Sequence, residues 1–488
     1  MLAASPFSDE AHTGEAIQKK TEIALERGGI GGLQEEQLFF PVSDNASNMI
    51  TAWAPFGRGP CTVHTMQLSI HVFLKHASIK PTRDKQKGIV AHFNKSTGLD
   101  GLNGLHKCQQ ECNLPVHHPV SAVETRWSSD HDQMDWFRYE QQAVQLYDVK
   151  HSRKAGDAYK DHRLGLDDWT INEQATAVLL PFADWTQHLQ GTKYPTLPLV
   201  LPTTYALVDV TKPEEPLELS FPGVDSYVLE PQEMHQGVLM ARTEFHDDLK
   251  RRFVTEIDPA HKRVYAIAAL FHPCFKDYSF IDEYSFIDES DQQWALTELK
   301  TEWRFKWKNK QNKPSSAAGS STEPPAATAN PPEATSPTHR TSPRRTVPEP
   351  TAAPGPAPEP TTGAVATANA QGTITKKRKI TLGGLLAGKV KTEMPAKQSP
   401  EPVKDELEAY LEAPIETDIE LDVLDWWKEK EKVWPSLAKM VKQYFAQPAS
   451  SAGVERVFSA AGKMHDDLRK SAKDNTLEHS LFAASNTD

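Results

Sequence analysis

Cysteine is scarce in this sequence: Cys61, Cys108, Cys112 and Cys274 are spread over 488 residues. Four such scattered thiols cannot form a disulfide framework, which points to a reducing compartment. No run approaches the roughly 18 consecutive apolar residues of a membrane-spanning helix. The opening residues, MLAASPFSDEAH, reach acids before an apolar signal region can form. The expectation is a soluble, intracellular protein. Positive charge is also short, since the formal net charge is −12. That excludes a uniformly basic nucleic-acid binder but leaves room for a local basic face.

A second deficit divides the chain. Residues 311–370 hold 13 of the 36 prolines but no aromatic residue, Leu, Ile, Met or Cys. Such a segment cannot bury enough apolar surface to offset its ordering entropy. The expectation is a disordered Pro/Ala/Thr-rich linker over residues 313–403. Within it KKRK at 376–379, followed by Lys389 and Lys391, has the character of a nuclear-import signal. Residues 405–425 then carry nine acids and no base, a face that repels phosphate.

What is present before the linker reads as mixed, then mainly helical. LFFPV at 38–42 predicts a short buried strand, although Pro41 removes a ladder donor and suits an edge or bulge. MDWFRYEQQAVQLY, EQATAVLLPFADWTQHL and RVYAIAALF predict helices. YSFIDE occurs twice in succession, at 278–283 and 284–289. In ALTELKTEWRFKWKNK, bases interleave with Trp303, Phe305 and Trp307, a pattern open to two readings: nucleic-acid contact or a helix whose last turn carries cations.

Beyond the linker, Pro435 should open a new helix after Trp426, Trp427 and Trp434. PASSAGVERVFSAAGK at 448–463 follows. On a helix over 451–463, Val454, Val457, Phe458 and Ala461 obey i, i+3, i+4, i+7 spacing and form one apolar stripe. Ser450 and Ser451 are placed to cap it.

This C-terminal stretch, from LDWWKEKEKVWPSLAKM through LRKSAKDNTLEHSLF, resembles the dimerisation region of hAT-family transposases. HTGE (12–15), SDNASNM (43–49), CTVHTMQL (61–68) and ETRWSS (124–129) resemble earlier blocks of that family in the same order. The resemblance implies an α/β RNase H-like core interrupted by a helical insertion, with an all-α C-terminal region. Residues 1–75 would form part of that core and 76–312 the insertion. Residues 404–488 would complete the core and hold subunits together. Asp44 and Glu455 fall where the family places two of three catalytic carboxylates that bind Mg²⁺, and Arg126–Trp127 where it contacts DNA. Trp426, Trp427, Val454, Val457, Phe458, Ala461, Leu481 and Phe482 would serve dimerisation.

Asp9 is the sole aspartate before Asp44 and sits in a polar, turn-like context, so the resemblance implies a truncated N-terminus and an incomplete triad. The expectation is therefore a nuclear, transposase-derived protein that forms a homodimer or higher homo-oligomer. Two alternatives stand beside it: a Mg²⁺-dependent transposase completed by upstream residues, and a transcriptional or chromatin regulator with DNA as a further partner. A rival metal reading would draw four zinc ligands from Cys61, His64, Cys108, Cys112, His117 and His118.

Overall fold

The computed structural model describes residues 11–29, 40–123, 126–151, 157–221, 225–278, 280, 289–308, 405–418, 420–464 and 480. The linker, the import-type signal, most of the YSFIDE repeat, Leu481 and Phe482 lie outside them.

The described chain is mostly helical. Helix α1 (Gly14–Arg27) is followed by strand β1 (Val42–Ser43), α2 (Ser47–Trp53) and β2 (Gly59–Pro60). Next come α3 (Thr62–Lys75), α4 (Lys80–Lys95), α5 (Leu102–Glu111), α6 (Trp127–Tyr139) and α7 (Gln141–Lys150). After them run α8 (Asp157–Lys160), α9 (Leu166–Leu189), α10 (Val200–Val210), β3 (Leu217–Leu219) and β4 (Tyr227–Leu229). Then follow α11 (Gln236–Lys250), α12 (Pro259–Leu270) and α13 (Glu289–Glu302). The C-terminal region supplies α14 (Glu406–Glu412), α15 (Val423–Lys430), α16 (Pro435–Phe445) and α17 (Ala452–Met464). Among the described residues the strands form two pairs, β1–β2 parallel and β3–β4 antiparallel. None of the described helices is long and apolar enough to cross a membrane.

Of the strand expected at 38–42, residues 38–39 lie outside the described set, and of the described residues only Val42 is in a strand. Phe40 is buried with a left-handed φ of 56°, a conformation that ends extended pairing. Pairing starts after Pro41, whose carbonyl accepts from the Gly59 N–H at 2.9 Å. The missing proline donor is therefore not needed. The helix expected over 134–147 is instead two helices that meet at Glu140, a fully buried residue facing His117 at 3.2 Å. At HTGE, a Cβ on Gly14 would come within 3.0 Å of α2, so glycine permits α1 to close on it.

Two apolar cores result. The smaller joins α4 to α7 with the start of α9, through Phe93, Leu105, Phe137, Tyr147 and Trp169. The larger runs from Phe40 to Ala449 and includes α3, α9 to α12 and the C-terminal helices α14 to α16. Helix α16 shows why the C-terminal region joins it: Leu437, Met440, Val441, Tyr444 and Phe445 make a buried stripe at helical spacing. Its first turn is closed by Glu406 of α14, whose carboxylate accepts from the N–H groups of Ser436 and Leu437 at 2.9 and 2.8 Å. A carboxylate there also meets the positive end of the helix dipole.

Candidate functional site

The start of α3 organises the site. On one side it follows β2, whose next residue Cys61 donates its N–H to Ser43 O at 2.7 Å. This sets Asp44 at the end of β1. The sequence SDNAS then does what such residues do locally: the Asp44 carboxylate accepts from the Ala46 N–H at 3.1 Å and shapes the entry to α2. Asn45 Nδ2 reaches Thr65 Oγ1 on α3 at 3.2 Å.

Arg58 holds this turn. Its guanidinium donates to Ser43 Oγ at 2.7 Å, Asp44 O at 2.5 Å and Asn45 Oδ1 at 2.6 Å. Burial lowers its pKa, while the Asp44 carboxylate pulls it back up. Removing the side chain strands several acceptors at once. Arg58→Ala should cost about 2 kcal/mol in urea unfolding, the scale of hydrogen bonds to a charged group. An unchanged midpoint would show that water replaces the guanidinium.

On its other side α3 meets the PASS segment. Thr62 donates its N–H to Ala449 O at 3.0 Å, and Ser451 donates its own to Cys61 Sγ at 3.3 Å. Ala449 N–H reaches Thr196 Oγ1 at 2.9 Å, and Ser450 Oγ donates to Leu189 O at 3.1 Å. Ala449, Ser450 and Ala452 are buried. The small residues therefore allow a close backbone approach, and Ser450 spends its hydroxyl on α9 instead of capping α17.

Adjacent on α17, Glu455 and Arg456 have separate roles. Arg456 donates to Gln190 O at 3.0 Å and fastens α17 to the end of α9. Glu455 is exposed and borders a cleft of about 310 Å³. Arg126, Trp127, His64 and Gln67 border the same cleft. Residues far apart in sequence thus converge there. Arg126 is exposed on the rim, while Trp127 is 3 % exposed and belongs to the larger core. Asp44 does not border this cleft.

A two-Mg²⁺ centre needs several carboxylates around one point. The described residues contain no group of three or more His, Cys, Asp or Glu side chains arranged to hold a metal. Asp44 is engaged by the turn and Glu455 stands on the cleft, so the described residues do not fit such a centre. The zinc reading fails for a related reason. Cys61 is buried and accepts from the His64 and Ser451 N–H groups. Cys108 lies in the other core, its thiol pushed up to about 11 by burial. His117 faces Glu140.

Trp426 and Trp427 turn inward. Trp427 Nε1 donates to Phe271 O, and Trp426 Nε1 to Glu416 Oε1, each at 2.9 Å. With Tyr410 and Trp434 they form one aromatic cluster, centroids 5.0–6.3 Å apart. The α17 stripe turns outward: Val454 is 55 % and Phe458 65 % exposed, and Val457 is half-buried. Ala461 lies on the same helix, its side chain outside the described set.

Comparison with known proteins bears on this region. Residues 406–487 match the family described as the hAT family C-terminal dimerisation region. Over 82 residues the chain is 34 % identical to the zinc finger BED domain-containing protein DAYSLEEPER of Arabidopsis thaliana, covering 17 % of this chain and 12 % of that protein. It is 35 % identical over 82 residues to zinc finger BED domain-containing protein RICESLEEPER 1 of Oryza sativa subsp. japonica, covering 16 % and 11 %. The corresponding protein RICESLEEPER 3 is 38 % identical over 90 residues, covering 17 % and 12 %. The chain thus spans about an eighth of the length of these curated relatives.

Proposed function

We propose that this chain, a hAT-type transposase-like protein by its C-terminal dimerisation region, works in the nucleus through self-association, as a homodimer or higher homo-oligomer. The observation that carries the reading is the face of α17. Within the matched dimerisation region, Val454 and Phe458 are more than half exposed on a helix tied near its start to Cys61, just before α3, and to Gln190, just after α9. A helix anchored near its start and carrying an exposed apolar stripe is suited to packing against the same stripe of a second copy. KKRK at 376–379 supports the nuclear assignment.

Under this reading residues 1–75 and 404–488 belong to one RNase H-like core, residues 76–312 form an insertion, and 313–403 are a linker. The parallel β1–β2 pair and the Thr62–Ala449 hydrogen bond support that grouping. The engagement of the Asp44 carboxylate away from the Glu455 cleft supports a protein that is catalytically incomplete.

The test is the double substitution Val454→Asp with Phe458→Asp. Both side chains are exposed in the protomer, so folding should survive, as circular dichroism would verify. Light scattering should show the mass falling to that of one 54.4 kDa chain. An unchanged oligomer mass would end the proposal.

A second reading, DNA contact, is favoured by one observation: Arg126, Trp127 and Glu455 border a single cleft. Arg126 would meet a phosphate at the rim. Trp127, being buried, would act as the floor of the cleft. A transposase or a chromatin regulator would both use such contact.

A further inference from the structure

Helix α13 ends in one π turn, Trp303–Trp307, closed by the Lys308 N–H on Trp303 O. Trp303 points inward, 3 % exposed, with Nε1 donating to Asp405 Oδ1 at 2.8 Å. Trp307 is half-buried against the larger core. Phe305, between them, is 77 % exposed. Basic-aromatic interleaving therefore separates into two tryptophans that anchor the helix end and one phenylalanine that the core does not use.

Cations flank Phe305 in sequence. Lys300, Arg304, Lys306 and Lys308 are all exposed. Lys300, Arg304 and Lys308 are spaced i, i+4, i+8 and border one small pocket with Asp405 and Glu408. Asp405 is engaged by Lys308 at 2.8 Å, by Trp303 and by the Leu407 N–H. Glu302 is buried against Arg263 and the Tyr444 hydroxyl; Lys306 lies 3.9 Å from it. Among the described residues Lys300 and Arg304 form no ion pair. Residues 300–308 thus carry four bases and one acid, in a chain whose overall charge is −12.

We propose that this helix end is a contact surface for single-stranded nucleic acid: Phe305 stacks an unpaired base, and Lys300, Arg304 and Lys306 meet the neighbouring phosphates. The exposed ring selects this partner over an acidic peptide, because every base offers a face to stack on and a carboxylate-rich peptide does not. Its pocket shares no lining residue with the Arg126 cleft.

The test uses the full chain and a labelled oligothymidylate, with Arg126→Ala as the parent so that the cleft contributes equally little throughout. Binding should persist in that parent. Phe305→Ala should weaken it roughly tenfold or more, while Phe305→Tyr keeps it. Arg304→Gln should lower the slope of log affinity against log salt by about 0.7 for each phosphate that the guanidinium neutralises. Loss of all binding in the Arg126→Ala parent would overturn the proposal and leave the cleft as the binding site. Equal affinity for Phe305→Ala and its parent would overturn it as well. So would displacement of the oligonucleotide by polyglutamate at equal charge, which would assign the surface to acidic peptides.

Discussion

Trp427→Ala should destabilise the chain by about 3–5 kcal/mol, the cost of truncating a large buried aromatic. The indole is 5 % exposed and touches two separate parts of the sequence. Its N–H donates to Phe271 O at the end of α12, while its ring lies 5.0 Å from Tyr410 and edge-on to Phe271 at 6.4 Å. Truncation would open a cavity between α12, α14 and α15 and leave a buried carbonyl without its donor. Trp427→Phe should retain the ring contacts and lose the hydrogen bond, costing about 1–2 kcal/mol. Urea unfolding at one fixed protein concentration is the measurement, because subunit association would otherwise shift the midpoint. A Trp427→Ala protein of unchanged stability but reduced mass would return this residue to the subunit interface.

That contrast separates two roles the dimerisation region combines. Its first helices, α14 to α16, are used within the chain: Glu406 caps α16, Asp405 holds Trp303, and the Tyr444 hydroxyl reaches the buried Glu302 carboxylate at 2.9 Å. Glu302 also pairs with Arg263, which bridges to Glu298 at 2.7 Å. Helix α17, by contrast, presents its stripe outward. Self-association through α17 would therefore act on a platform whose own stability comes from α12 and α13.

Periodicity made several of these elements legible. Pro435 opens α16, and residues 452–464 form the helix whose apolar spacing was visible in Val454, Val457 and Phe458. Spacing defines a stripe but not what covers it, so the inward turn of Trp426 and Trp427 and the outward turn of Phe458 could not be distinguished. The reason is distance: the partners of Trp427 are Phe271 and Tyr410, the first 156 residues away. The motif around Asp44 was legible as a carboxylate after a short strand. Its use on the Ala46 N–H follows from local Asx geometry that the same letters encode equally well. Arg58 carries no signal in the sequence, because the turn it clamps lies 13–15 residues before it. Within LFFPV the described residues are 40–42, and there Phe40 is left-handed, a conformation that hydrophobicity alone does not reveal.

Lys276 gives the second large effect, and it is a pH dependence. No motif in the sequence marks it. The side chain is 2 % exposed. Its ammonium donates to Tyr410 O at 2.8 Å and to Ala413 O, at the end of α14, and lies 5.1 Å from the Tyr410 ring. Burial pushes its pKa down to about 8, with Lys430 adding to the fall and Asp277 and Glu416 opposing it. An unfolded lysine titrates near 10.4. Below about pH 8 both states carry the proton and the folded state bears the full cost of a buried cation. Between about 8 and 10.4 the folded state gives up its proton first, so the unfolded state binds more protons and stability rises with pH. Above that range both are neutral and the cost is gone. The neutral amine still has two hydrogens, enough for both carbonyls, so titration removes the charge without breaking the contact. A gap of this width corresponds to about 3 kcal/mol. Buried tyrosines such as Tyr205 and Tyr265, both pushed well up by burial, act in the opposite sense at the alkaline end, so the comparison must be a difference. Urea unfolding of wild type and Lys276→Met from pH 7 to 10.5 should show the wild type gaining about 3 kcal/mol relative to the variant. Parallel curves would mean that the ammonium is solvated in the folded chain, and that the carbonyls of α14 hold it no more tightly than water does.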